Sequence, residues 1–345
     1  MELITYISIY SIGLSLLFFP DLIRDRFFFI FWFLSALTLS LVIRSSIGLT
    51  HSADIDGYIL YMQANDIKSL YLREPIFWFG TRYLYNLIGD GIKVFVILDI
   101  ILFLFLYKGF TYTKNIFSSE ISISSVKYVF FLSLIFFPFV LGMHNYYRQI
   151  LASVIFISAI GYCGNNKIIK GLLMSLIAVL IHNASAIFFP LLMIVIDKRR
   201  YKIFAFVSLP ILLISIDFIL GLSSGGLTER IGFEAGRNIH YLYLLSLIIL
   251  ISFISYFETK NLSNNYRSFV YFLLITIIIY IYSLVTMTSG QSERLLLYIF
   301  AIIFPFLAYY FEERFKPKIL IRFIFYHVAL SPLFFLYSST IDLTL

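Results

Sequence analysis

Charge is scarce in this sequence. Asp, Glu, Lys and Arg make up only 13% of its 345 residues, where a soluble domain carries about a quarter. No polar stretch is long enough to form a second, aqueous domain. Cysteine is nearly absent, and the lone Cys163 excludes an internal disulfide and any CxxC site. There is no HExxH, no cysteine cluster and no phosphate-binding Gly-rich loop, so the chain has no metal motif and no nucleotide cradle. No internal repeat stands out. What fills the chain instead is apolar: 61% of the residues, with a mean hydropathy of +0.93. A soluble fold of this length could not hide that much apolar surface, so lipid must be its solvent. The net charge of +7 then reads as cytoplasmic anchoring charge, not as affinity for nucleic acid. The first apolar run, 3–19, lacks a basic leader and a small-residue cleavage site and reads as a retained span.

Apolar runs of spanning length fall near 2–19, 27–43, 92–107, 126–142, 149–163, 203–220, 239–257, 267–287, 294–311 and 319–337. The stretch 168–196 is interrupted by His182-Asn183 and flanked by Lys167 and Lys170 before it and the basic run 197–202 after it. Two half-helices running up to His182 and back keep both basic clusters on one side. The expected fold is an all-α polytopic membrane protein, one transmembrane domain over 1–345. It has about ten full spans plus a broken helical hairpin, ten to twelve transmembrane segments in all, and both termini are extracytoplasmic. Two outer loops are long, 44–91 and 221–238. In the first, Pro75 opens a run that sets Trp78, Arg82 and Tyr85 on one face, which predicts an interfacial or re-entrant helix over 75–88. The second is Gly/Ser-rich and reads as a flexible loop, with Arg230 and Arg237 as candidate lid residues.

With this topology 17 of the 26 basic residues lie inside, in accord with the positive-inside rule. The residue types divide more sharply. Ten of the twelve Lys are inside, and seven of the nine outer basic residues are Arg: Arg44, Arg73, Arg82, Arg148, Arg230, Arg237 and Arg294. Anchoring tolerates either type, but holding a phosphate or carboxylate by two parallel bonds favours the planar guanidinium. The outer arginines therefore look chosen for binding.

Chemistry-bearing residues gather on that same side in four sets. The first is Arg44 followed by Asp54-x-Asp56-Gly57-Tyr58 and Tyr61. A helix over 54–63 puts Asp54, Tyr58 and Tyr61 on one face, and a carboxylate flanked by tyrosines suits sugar binding and removal of a hydroxyl proton. A solvated loop with belt tyrosines is the plainer reading. The second is His144-Asn145-Tyr146-Tyr147-Arg148, with His144 and Arg148 one turn apart; an interfacial anchor is its plain alternative. The third is His182 with Ser185 at the break of the hairpin. Broken helices at membrane depth are tolerated where they line a cavity, although a lone His is more often a satisfied core residue. The fourth is Gln291-Ser292-Glu293-Arg294 with Tyr298 a turn later, and beside it stands the pair Arg73-Glu74, either of which could be a simple ion pair.

Taken in order, Arg44, Gly48, Asp54-x-Asp56-Gly57-Tyr58-x-x-Tyr61, Glu74-Pro75, Arg148, His182-x-x-Ser185-Ala186 and Glu293-Arg294 with Tyr298 resemble the EpsG-type branch of the Wzy polysaccharide polymerases. The resemblance implies an enzyme of the bacterial cytoplasmic (inner) membrane, with its site facing the periplasm or exterior. It would polymerise undecaprenyl-pyrophosphate-linked repeat units, serving as both donor and acceptor, into O-antigen, capsule or exopolysaccharide, O-antigen being the first choice. The reaction would be inverting and would need no metal and no cofactor. A chain-length regulator and a flippase would be its partners. Carried onto this chain, the implied roles are pyrophosphate binding by Arg44, Arg73, Arg148 and Arg294, and sugar binding by Tyr58, Tyr61, His144, Tyr147 and Tyr298. The base would come from Asp54, Asp56, Glu74 and His182, a carboxylate of the first loop being preferred over His182.

Three other readings can be set against the pattern. A glycosyltransferase using a lipid-phosphate sugar would employ Asp54-x-Asp56 as an acidic pair, perhaps with a divalent metal, but needs one phosphate clamp where this chain has seven outer arginines. A lipid-oligosaccharide flippase should show two related halves and charges along a central path, and the sequence shows neither. A structural subunit of an export complex would tolerate loss of the outer arginines.

Overall fold

The structure, a computed structural model, describes residues 1–46, 53–64, 69–114, 116, 122, 124–215, 246, 248–250, 252–254, 264–287, 289–315 and 318–335. All regular structure among them is helical. In chain order the helices are α1 (Glu2–Phe18), α2 (Asp25–Ser46), α3 (Ala53–Gln63), α4 (Ser69–Arg73), α5 (Pro75–Ile88), α6 (Gly91–Thr113), α7 (Lys127–Ile135) and α8 (Phe137–His144). They continue with α9 (Tyr147–Gly164), α10 (Ile168–Ile181), α11 (Phe189–Ile194), α12 (Arg199–Ile214), α13 (Asn264–Thr286), α14 (Ser289–Arg314) and α15 (Lys318–Phe335).

Among the described residues, five helices are long and apolar enough to cross a bilayer: α2, α6, α9, α13 and α14. The pair α7–α8, bent by 44°, brings the number to six. This is fewer than the ten spans expected. The helix α1 and the segments 168–181 and 183–194 are apolar but short. The far end of the 203–220 run, most of 239–257, the loop 221–238 and the lid candidates Arg230 and Arg237 fall outside the described residues. The α7–α8 bend has a local cause. Pro138 sits in the first turn of α8, where a residue without an N–H and with a bulky ring cannot continue the preceding helix.

The helix α9 is at the centre, buried along nearly its whole length and packed against α6, α10, α11 and α14. Its approach to α10 is close because Gly171 has no side chain: a Cβ there would lie 2.9 Å from the Ala159 carbonyl oxygen. The turn from α5 to α6 is written locally. Gly89 takes the left-handed conformation (φ 73°) that ends α5, and Asp90 accepts from the Ile92 and Lys93 amides at 2.9 and 3.2 Å to open α6.

The break at His182 is present. The helix α10 stops at Ile181, His182 is extended (φ −152°, ψ 112°), and a short 3-10 turn over Asn183–Phe188 leads into α11. The Ser185 hydroxyl donates to the Ala178 carbonyl at 3.2 Å, seven residues back, a distance no continuous helix permits. Phe188 already packs on Phe156 at mid-length of α9, so the chain has turned back on itself. The helix expected over 75–88 is also present, as α5.

The two ends of the bundle differ. At one, Lys127 binds Asp25 at 2.7 Å and the Pro20 carbonyl at 3.0 Å, and the Arg322 Nε donates to Glu312 Oε2 at 2.6 Å. The other end gathers the start of α1, the end of α2, α3 to α5, the α8–α9 junction, the His182 break and the start of α14.

Candidate active site

The chemistry at this second end is organised around Glu74. Its place between α4 and Pro75 buries it completely, with the carboxylate turned inward. One oxygen, Oε1, lies 2.7 Å from His182 Nδ1 and accepts from the Asn183 amide at 3.4 Å. The other, Oε2, accepts from Arg148 Nη1. Burial alone would raise the Glu74 pKa, but His182, Arg148 and the Asn183 N–H outweigh it and hold the carboxyl below its usual value. Glu74 is therefore a carboxylate near neutral pH and can only accept. His182 Nδ1 must then carry the proton, which leaves Nε2 as the atom able to take another.

Arg148 begins the central helix α9 and is held on several sides. Its Nε donates to the Tyr58 hydroxyl at 3.3 Å, and its guanidinium lies 5.0 Å over Trp78 and 5.2 Å over Tyr58. Each such contact contributes about 0.5–2 kcal/mol and fixes the plane of the fork. Burial raises the Tyr58 pKa against the pull of Arg148, so the phenol stays neutral. Tyr61 and Tyr71 pack on Trp78, and the Tyr71 hydroxyl donates to the Tyr61 carbonyl at 2.7 Å, which ties α3, α4 and α5 into one aromatic block. The side chains of His182 and Arg148 keep 15% and 17% of their surface exposed while Glu74 keeps none. The carboxylate is the inner support, and the ring and guanidinium are the accessible face of the cluster.

Around this triad stand other expected residues. Arg294 lies 5.1 Å over the Tyr146 ring, and Gln149 Nε2 donates to the Arg294 carbonyl. Asp54, half-buried at the start of α3, is close enough to act electrostatically on Tyr58 and Tyr146, as Arg294 does. The Tyr298 hydroxyl is 2.6 Å from Ser185 Oγ, and its ring stacks on Phe188 at 4.6 Å. Tyr298 is buried there, a buttress under the His182 break. Arg73 is half-buried at the end of α4. Asp56 is exposed, two residues and so about 200° round α3 from Asp54, which splits the acidic pair of the lipid-phosphate-sugar alternative.

Three expected site residues belong to a different cluster. Arg44 is buried and forms a two-pronged pair with Asp99, Nε to Oδ2 at 2.8 Å and Nη2 to Oδ1 at 2.9 Å; its Nη1 donates to the Met143 carbonyl at 2.9 Å. Ser40 and Tyr147 donate to the same carboxylate at 2.6 and 2.8 Å. His144 is buried with its Nε2 2.8 Å from Glu2 Oε1. Arg44, Tyr147 and His144 thus turn their polar atoms to protein partners, not to the Glu74 cluster. Asp99 was missed, although a carboxylate in the middle of Val94–Leu102 was a signal in itself, since such a charge needs a partner. The aromatic platform under Arg148 was legible only in part: Trp78 was placed on a helix face, with nothing to show what it faces.

Among the described residues no group of three or more His, Cys, Asp or Glu side chains is placed to hold a metal ion. What the arrangement offers is a proton acceptor backed by a buried carboxylate, beside cationic groups laid on aromatic rings. Such a pairing can deprotonate a hydroxyl while stabilising negative charge on a leaving group. No curated protein and no solved structure matches the chain. The family model described as the EpsG family matches residues 30–343, a stretch that contains every part of the Glu74 cluster, and the chain therefore belongs to the EpsG family, of polysaccharide-polymerase-like membrane proteins associated with glycosyltransferase-like chemistry.

Proposed function

We propose that the protein polymerises undecaprenyl-pyrophosphate-linked oligosaccharide repeat units, by metal-independent and inverting glycosyl transfer, on the outer face of the bacterial cytoplasmic membrane, with O-antigen as the product class. The observation that carries the reading is the Glu74 carboxylate shared between His182 and Arg148, with the imidazole and guanidinium partly exposed and Arg294 near enough to act, with Arg148, on Tyr58. His182 Nε2 takes the proton of the acceptor hydroxyl. The hydroxyl oxygen forms the new bond to the anomeric carbon of the donor, the bond from that carbon to the pyrophosphate breaks, and undecaprenyl pyrophosphate leaves. Arg148 and Arg294 meet the charge that develops on the leaving oxygen, while Glu74 holds the imidazole in the tautomer the step needs and offsets the positive charge it acquires.

The base is thus His182, supported by a carboxylate of the first loop, where the sequence favoured the carboxylate itself. The competing lipid-phosphate-sugar mechanism loses support because Asp54 and Asp56 point to different sides of α3. Replacing His182 or Arg148 by alanine is expected to abolish chain extension and leave single repeat units on the lipid acceptor in a glycan gel. Long-chain polymer from stably expressed variants would refute the assignment.

A further inference from the structure

A cavity of about 650 Å³ lies apart from the Glu74 cluster. It lies between α8, α14, α15 and the helical pieces at 246–253, and its walls are phenylalanine rings: Phe136, Phe137, Phe300, Phe304, Phe311 and Phe325 among them. Phe136 stacks on Phe304 at 4.3 Å, and Phe304 on Phe325 at 5.8 Å. Among the described residues the only polar side chains in the lining are Ser246 and Ser331, so the lining suits an apolar occupant. The groove is also long. From Phe300 to Phe311 it follows α14 for eleven residue steps, about 16 Å at 1.5 Å per residue, and continues to Phe315 just past the helix end, against roughly 30 Å for a hydrocarbon layer. A chain lying along the bundle fits that shape; a compact small molecule does not.

Two of its walls lead to the site. The helix α14 carries Arg294 nearly two turns and Tyr298 half a turn before Phe300, and α8 leads from Phe137 to the junction that presents Tyr146 and Arg148. A narrow cleft lined by Tyr146, Gln149, Leu297 and Tyr298 joins the same two helices above the groove. We propose that the groove holds the polyprenyl chain of the lipid-linked substrate, with its pyrophosphate end at Arg294 and Arg148. The identity of the headgroup rests on the polymerase reading; the groove itself does not. Lipid tails are as apolar as the groove, so no hydrophobic drive pulls a chain out of the bilayer. Selection comes from contact: a methyl-branched, unsaturated chain meets more ring surface than a straight acyl chain. The gain is orientation of the reacting pyrophosphate.

The test uses the full-length protein in detergent and photoreactive polyprenyl phosphates without sugar, one of undecaprenyl and one of farnesyl length. The wild type is expected to bind the long probe about tenfold more tightly than the short one, with labelling on the peptides containing Phe304 and Phe325. Val328→Trp, at a largely exposed position on the rim, and Leu307→Trp, deeper in, are expected to remove that difference while leaving the short probe unaffected. Equal affinity for the two probes, labelling elsewhere, or displacement of the long probe by equimolar phosphatidylglycerol would overturn the proposal. His182→Ala should bind the long probe as the wild type does. If that variant still makes polymer, the assignment of His182 as the base fails; if the wild type extends no glycan while the groove is labelled, the polymerase reading fails and the groove stands.

Discussion

Glu74 shows how one buried side chain can set the behaviour of two exposed ones. Glu74→Gln keeps the shape but removes the negative charge, so the imidazole loses its anionic partner and Arg148 its counter-charge. Polymerisation should fall roughly 10²–10⁴-fold, the range for a general base that no longer works, with the protein still folded. The pH response has a definite sign. Because the folded carboxyl is held below its ordinary value, its contribution to stability is complete above the unfolded pKa and is lost as pH falls through the lower folded value. Wild-type protein in detergent should thus lose thermal stability on acidification through that window, and Glu74→Gln should lose less. An identical acid profile for the two would remove Glu74 from the account.

At the scale of elements, the active-site residues depend on how the central helix is packed. The close pass of α10 over α9 at Gly171 sets where α10 ends and so where His182 lies. Gly171→Ala should lower stability by about 1–3 kcal/mol, the cost of overpacking, seen as a lower melting temperature. Adding Cys163→Ala should not restore it, because the Ala159 carbonyl oxygen stays 2.9 Å from the new Cβ; full recovery would place the strain on the sulfur alone. Local signals made several elements readable in advance. Pro75 marked the start of α5, expected over 75–88, and His182-Asn183 marked the hairpin break, while the spacing of Asp54, Tyr58 and Tyr61 fitted the helix that became α3. The number of spans was less readable, since apolar runs near 17 residues serve equally as spans and as half-helices, and only packing separates the two.

For the molecule as a whole, the sequence separated the chemistry-bearing end from the Lys-rich end but could not say which arginine faces which carboxylate. Arg44 and Arg148 were equivalent in the sequence, each an arginine at a helix end. The structure divides them through partners more than fifty residues away: Asp99 binds Arg44 inside the bundle, and Glu74 holds Arg148 at the partly exposed face of the cluster. Asp99→Ala strands the Arg44 charge in a dry interior and should cost about 3–5 kcal/mol, measured as faster thermal inactivation. The double variant Arg44→Met, Asp99→Leu should recover most of the loss; no coupling between the two changes would count against a shared role.

The five residues from His144 to Arg148 face two ways, His144 and Tyr147 toward the buried pairs and Tyr146 and Arg148 toward the site. For descent with modification this makes positions 44 and 99 a locked couple: either change alone passes through a poorly folded ancestor that also disturbs the junction aiming Arg148. Lineages should therefore keep both charges or exchange both, and any that lost them together would carry the trace as a matched substitution in α2 and α6 with Glu74 and His182 untouched.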